Sequence, residues 1–105
     1  MSSALLTESV FQGRIVDLAK LCGWRIHAER PAQRREGRWT TPIQGHVGFP
    51  DLVLVRRERL IFAELKVGYR KATDEQMIWL IALASRAETH LWYPKDWERI
   101  QQILR

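Results

Sequence analysis

Gly48-Phe49-Pro50-Asp51-Leu52-Val53-Leu54-Val55-Arg56-Arg57-Glu58-Arg59-Leu60-Ile61-Phe62-Ala63-Glu64-Leu65-Lys66 decides how this chain reads. Two apolar runs, Leu52 to Val55 and Leu60 to Ala63, flank a polar Arg-Arg-Glu-Arg turn, the pattern of a β-hairpin. A turn centred between Arg57 and Glu58 pairs Val55 with Leu60, Val53 with Phe62, and Asp51 with Glu64. Side chains alternate faces along a strand, so Leu60, Phe62, Glu64 and Lys66 share one face. Opposed residues have Cβ atoms roughly 5 Å apart, and like charges placed there repel. Two opposed carboxylates with an amine two positions along point to a divalent cation. The plainer reading is a surface ion-pair cluster in which Lys66 bridges both acids.

The chain of 105 residues is long enough for one core, and a single domain over 1–105 is expected. An apolar fraction of 46% supports folding. The lone Cys22 excludes an internal disulfide and a cysteine zinc site, which suits a reducing cytoplasm. No apolar run approaches the ~20 residues of a membrane span, and no signal peptide is expected. A net charge of +5 suits a polyanionic partner, although many small domains share it.

Outward from the hairpin, residues 4 to 22 read as a helix with Leu5, Phe11, Ile15, Leu18 and Cys22 on one stripe and Gly23 as the stop. Trp24 to Ala28 reads as a short strand, and 29–47 as a long arginine-rich connection around Trp39. Thr73-Asp74-Glu75-Gln76 has the form of a capping box opening a helix with Met77, Leu80, Ile81 and Ala84 inward. His90 to Tyr93 makes a last strand, and Pro94 starts an amphipathic helix with Trp97, Ile100 and Leu104. The order α-β-β-β-α-β-α predicts an α/β sandwich with an antiparallel start and a crossover helix.

Glu8 falls on the apolar stripe of the first helix, where a carboxylate needs a partner or a metal. Its place near the helix start has a simpler explanation in the helix dipole. Glu8, Asp51 and Glu64 together would offer the oxygen ligands that magnesium or manganese prefers, with the Ala63 carbonyl completing the set. Lys66 could orient a water or bind a phosphate. Gln76 is either an active-site group or simply the far end of the capping box. Arg34, Arg35, Arg38, Arg70 and Lys71, and the hairpin arginines Arg56, Arg57 and Arg59, are candidate phosphate contacts. Trp39 either stacks on a base or folds onto the core. His27, His46 and His90 lack metal-ligand spacing. The Trp92 to Leu104 segment offers apolar surface for a homodimer.

Pro50-Asp51, then Glu64-Leu65-Lys66, resembles the PD-(D/E)xK nuclease signature. Gly48-Phe49-Pro50-Asp51-Leu52, Phe62-Ala63-Glu64-Leu65-Lys66 and Gln76-x-x-Trp79-Leu80 look more narrowly like the VRR-NUC family, over a stretch from Glu8 to about Tyr93. The resemblance implies a restriction-endonuclease-like core and metal-dependent hydrolysis of phosphodiesters in DNA. It makes Glu8, Asp51 and Glu64 metal ligands, Lys66 the positioning base and Gln76 an auxiliary polar group. It further implies a homodimer cutting branched DNA, such as four-way junctions, in a bacterial cell or phage-infected host. Alternatives are a catalytically silent nucleic-acid-binding module and a nuclease acting on linear or single-stranded DNA.

Overall fold

In the computed structural model, which describes residues 6–29 and 43–105, every sheet contact is organised around the hairpin. β1 (Arg25–Ala28), β2 (Leu52–Arg56), β3 (Arg59–Leu65) and β4 (Glu88–Trp92) form one mixed sheet in that spatial order. β1–β2 and β2–β3 are antiparallel, and β3–β4 is parallel. Helices α1 (Glu8–Leu21), α2 (Asp74–Ala84) and α3 (Trp97–Leu104) complete the expected element order. The hairpin register is the expected one, Val55 opposite Leu60 and Val53 opposite Phe62. Its two-residue loop holds Arg57 at φ 55, the left-handed backbone that a tight hairpin turn requires.

One sheet face buries Leu52, Leu54, Ile61, Ala63 and Leu65 against Phe11, Ile15 and Ala19 of α1 and Ile100 and Leu104 of α3. The opposite face carries Phe62, which meets Phe49 edge-on at 5.7 Å, and Phe49 meets Trp79 of α2 at 5.0 Å. The sheet is therefore sandwiched between α1 and α3 on one side and α2 on the other. Placing the crossover helix on the second face is what turns the outward side of β3 into a protected surface.

Three expectations need correction. α1 begins at Glu8, because the Thr7 side chain accepts from the Val10 N–H and caps the helix there. Its end is as expected: Gly23 at φ +83 lets Trp24 N–H reach the Ala19 carbonyl and Gly23 N–H the Lys20 carbonyl. α2 faces inward with Leu80, Trp79 and Leu83, whereas Met77, Ile81 and Ala84 are exposed. An almost wholly apolar helix carries little phase information, so sequence could not choose its buried side. Trp92, Ile100 and Leu104 are buried in the core and supply no dimer surface.

Two hairpin arginines are structural. Arg56 donates to the carbonyls of Cys22 and Leu104 at 2.9 Å, tying the ends of α1 and α3 to the sheet. Arg59 makes a two-pronged pair with Glu88 at 2.7 and 2.8 Å and donates to the Ile103 carbonyl. Both guanidinium groups lie over the Trp24 ring, 4.5 and 5.1 Å from its centroid. Neither is free to serve as the phosphate contact expected of it.

Gly48 lets α2 approach. It lies at φ +93, and a Cβ there would sit 2.8 Å from the Glu75 carbonyl carbon and 2.9 Å from the Gln76 nitrogen, both backbone atoms. Gly48→Ala is expected to cost roughly 1–3 kcal/mol in urea denaturation, from the positive φ and the backbone overlap together.

Candidate active site

At the end of the hairpin the strand ladder is completed by a side chain. Register ends at Leu52 opposite Ala63, and the Asp51 carboxylate then accepts the Leu65 N–H at 2.9 Å. One step further the partner is Pro50, which has no N–H to give. N–H and C=O of residues two apart point the same way along a strand, so the Ala63 carbonyl is directed at Leu52 within the ladder. The Leu65 carbonyl, on the same edge, faces the position of Pro50, which cannot donate. The Leu65 carbonyl is therefore a candidate backbone oxygen beside that of Ala63.

Glu64 points from β3 toward the α2 side and is 1% exposed. Its Oε2 lies 3.7 Å from the Lys66 ammonium, itself almost buried, while Oε1 has no partner among the described residues. Asp51 and Glu64 are close enough to share a proton. Burial first, then the Asp51 charge and that shared hydrogen bond, push Glu64 up to about 8, with Lys66 opposing the shift. A buried carboxyl held neutral beside a second carboxylate and an amine is a poised electrostatic site.

Glu8 is brought near this pair but not into it. Its pKa is raised by burial and by Asp51, and lowered by Lys66 and Arg70, so it feels the same field. Among the described residues, no three His, Cys, Asp or Glu side chains are grouped to hold an ion. The expected set of three carboxylates thus becomes two in contact and one at a distance. The reason lies in the layers: α1 packs its stripe on the Leu52–Leu54–Ala63 face, while Glu64 occupies the other.

Gln76 accepts the Thr73 N–H at 2.8 Å, and Thr73 accepts the Gln76 N–H at 3.2 Å, so the capping box is formed and engages the Gln76 oxygen. Trp79, on the inward side of α2, is half-buried. It straps the segment before the motif, donating to the Val47 carbonyl at 3.1 Å and meeting Phe49 edge-on at 5.0 Å. Arg70 and Lys71 are exposed just beyond Lys66. His46 is exposed in the approach to the hairpin, and His90 is stacked on Trp92 at 5.0 Å with burial lowering its pKa. Arg34, Arg35, Arg38 and Trp39 lie outside the described residues.

Comparison of the chain with family models, with curated proteins and with solved structures finds no match.

The Glu64 proton has a thermodynamic signature. Between the ordinary carboxyl value of 4.5 and about 8, the folded chain keeps a proton that the unfolded chain releases. The resulting stability is fully present below 4.5 and lost as pH rises through about 8. In EDTA, urea midpoints of the native chain should therefore fall more between pH 5.5 and 8.5 than those of Glu64→Gln.

Proposed function

We propose that the chain is a magnesium- or manganese-dependent endonuclease that hydrolyses phosphodiesters in DNA, with a restriction-endonuclease-like core of the VRR-NUC type. One observation carries this reading: Asp51 and Glu64 meet at the end of the hairpin, Glu64 keeps a buried oxygen with no partner among the described residues, and Lys66 lies beside them. Such a pair is costly without a cation, which supplies the reason to keep it.

The donors fit a hard ion. Asp51, Glu64 and the Leu65 carbonyl are all oxygens, and magnesium takes one or two carboxylates while keeping several waters. The set is too small for a calcium cage and lacks the sulfur and imidazole of a structural zinc site. When bound, the ion would supply a more acidic water and neutralise charge on a phosphate oxygen. The chain's own residues do the rest. Lys66 holds a fixed positive charge beside the acids, able to position a phosphate or an attacking water. The Leu65 N–H restrains the Asp51 carboxylate, so one ligand is oriented before anything binds. Glu8 adds negative potential at the same end of the sheet, and Arg70 opposes it. A net charge of +5 supports a polyanionic substrate.

Two acids in contact rather than three favour one alternative, a binding module that retains the fold without catalysis. Calorimetry separates them: titration with manganese produces heat in the native chain and none in Asp51→Ala if the pair holds an ion. Silence in both supports the binder.

Dimerisation belongs to the proposal with its surface moved. Ile78 and Ile81 on α2 are 65% and 69% exposed, beside the exposed Val47 and Met77. That apolar face is the place for a second copy, giving two sites for opposite strands of branched DNA.

Cleavage is tested with a labelled panel of four-way, forked, flapped, duplex and single-stranded DNA in each metal. The four-way junction should be cut, with a loss of at least roughly a hundredfold in Asp51→Ala or Lys66→Ala while binding largely survives. Light scattering after size exclusion should give twice the chain mass at micromolar concentration, and Ile81→Glu should return it to monomer.

A further inference from the structure

The β3 and β4 ends carry two loops that meet beside the carboxyl pair. Lys66 N–H donates to the Trp92 carbonyl at 3.0 Å, which sets the segment after β3 against the turn after β4. Tyr93 then donates its hydroxyl to the Arg70 carbonyl at 2.7 Å and locks the two together. Between them lies a cleft of about 390 Å³ lined by Tyr69, Arg70, Lys71, Tyr93, Pro94 and Lys95. Three of these are cations, and none of the lining residues is acidic.

Among the described residues, these cations make no ion pairs. The Arg70 charge lies near Glu8 and lowers its pKa, and Lys95 lies over the Tyr93 ring at 5.4 Å. Tyr69 is fully exposed, its ring packing on none of the described residues, directly after Gly68 at φ +61. A bare aromatic ring among three cations, on a loop fastened by a hydrogen bond, has the composition of a site for an unpaired nucleotide strand. A base has an apolar face for the ring, and its flanking phosphates match the cations. A blunt duplex offers phosphates but keeps its base faces stacked inside.

We propose that this cleft binds an unpaired segment of the DNA substrate, with Tyr69 stacking on a base and Arg70, Lys71 and Lys95 contacting the adjoining phosphates. The assignment rests on the nucleic-acid part of the reading above and extends it to the substrate's single-stranded portion. It gives the enzyme a means of preferring DNA with an open strand. The cleft begins at Gly68, two residues beyond Lys66 in the chain.

Fluorescence anisotropy in EDTA tests it, using a forked duplex with unpaired arms and a blunt duplex of equal length. Tyr69→Ala should weaken fork binding on the order of tenfold and leave the blunt duplex within about twofold, while Tyr69→Trp restores the fork. The double variant Lys71→Gln/Lys95→Gln should reduce the salt slope on the fork by about 1.4, two contacts at about 0.7 each. Equal weakening on both DNAs, or none on either, overturns the proposal. Since Tyr69 touches no core residue, unchanged thermal melting shows that the variant is folded. Cutting of the same fork by the native chain in manganese is scored separately. Absence of cutting with the fork-specific loss intact sinks the nuclease reading and leaves the cleft standing, whereas cutting with no fork-specific loss does the reverse.

Discussion

A buried carboxyl pair at the end of an antiparallel hairpin is the constraint on which this structure turns. Asp51 replaces a backbone acceptor for Leu65, and Glu64 is pushed out of its ordinary ionisation by burial and by Asp51. Both effects need the hairpin register, because shifting β2 by one residue would move Asp51 to the α1 face and turn Leu52 and Leu54 to the other. The register in turn needs the tight turn at Arg57 and the apolar face made by Leu52, Leu54, Ile61 and Ala63. Stability and the candidate chemistry thus share one element.

Several sequence features that look functional are explained by holding that element in place. Gly48 allows the start of α2 to approach the backbone before Asp51, Trp79 ties down Val47 and Phe49, and Gln76 caps its own helix. Pro50 ends the ladder without leaving a competing donor near the Leu65 carbonyl. Arg56 and Arg59 gather helix ends around Trp24. A string such as Gly48-Phe49-Pro50-Asp51 therefore carries one chemical group and three structural ones.

The electrostatic layout separates two zones at the same end of the sheet. Glu8, Asp51 and Glu64 make one acidic, with Lys66 within it. Arg70, Lys71 and Lys95 make the next basic, around an exposed tyrosine. Under the proposed function, a polyanion would be held by the second zone and would approach the first with a cation between them. On the far side of α2, Ile78 and Ile81 leave an apolar surface with no cover from the chain's described residues.

Much of this was legible in the linear chain because it depends on local rules. Strand alternation and a symmetrical polar turn located the hairpin and opposed Asp51 to Glu64, and Thr73 with Gln76 marked a helix start. Tertiary packing alone decided which face each element buried. Met77, Ile81 and Ala84 turned outward because a helix apolar on all sides has no preferred side until the sheet chooses one. Glu8 stayed apart from the pair because its stripe packs on the opposite layer, and Trp92, Ile100 and Leu104 closed the core instead of offering a dimer surface. Periodicity sets what lies along an element; burial between elements sets what meets across them, and that is a property of the assembled layers.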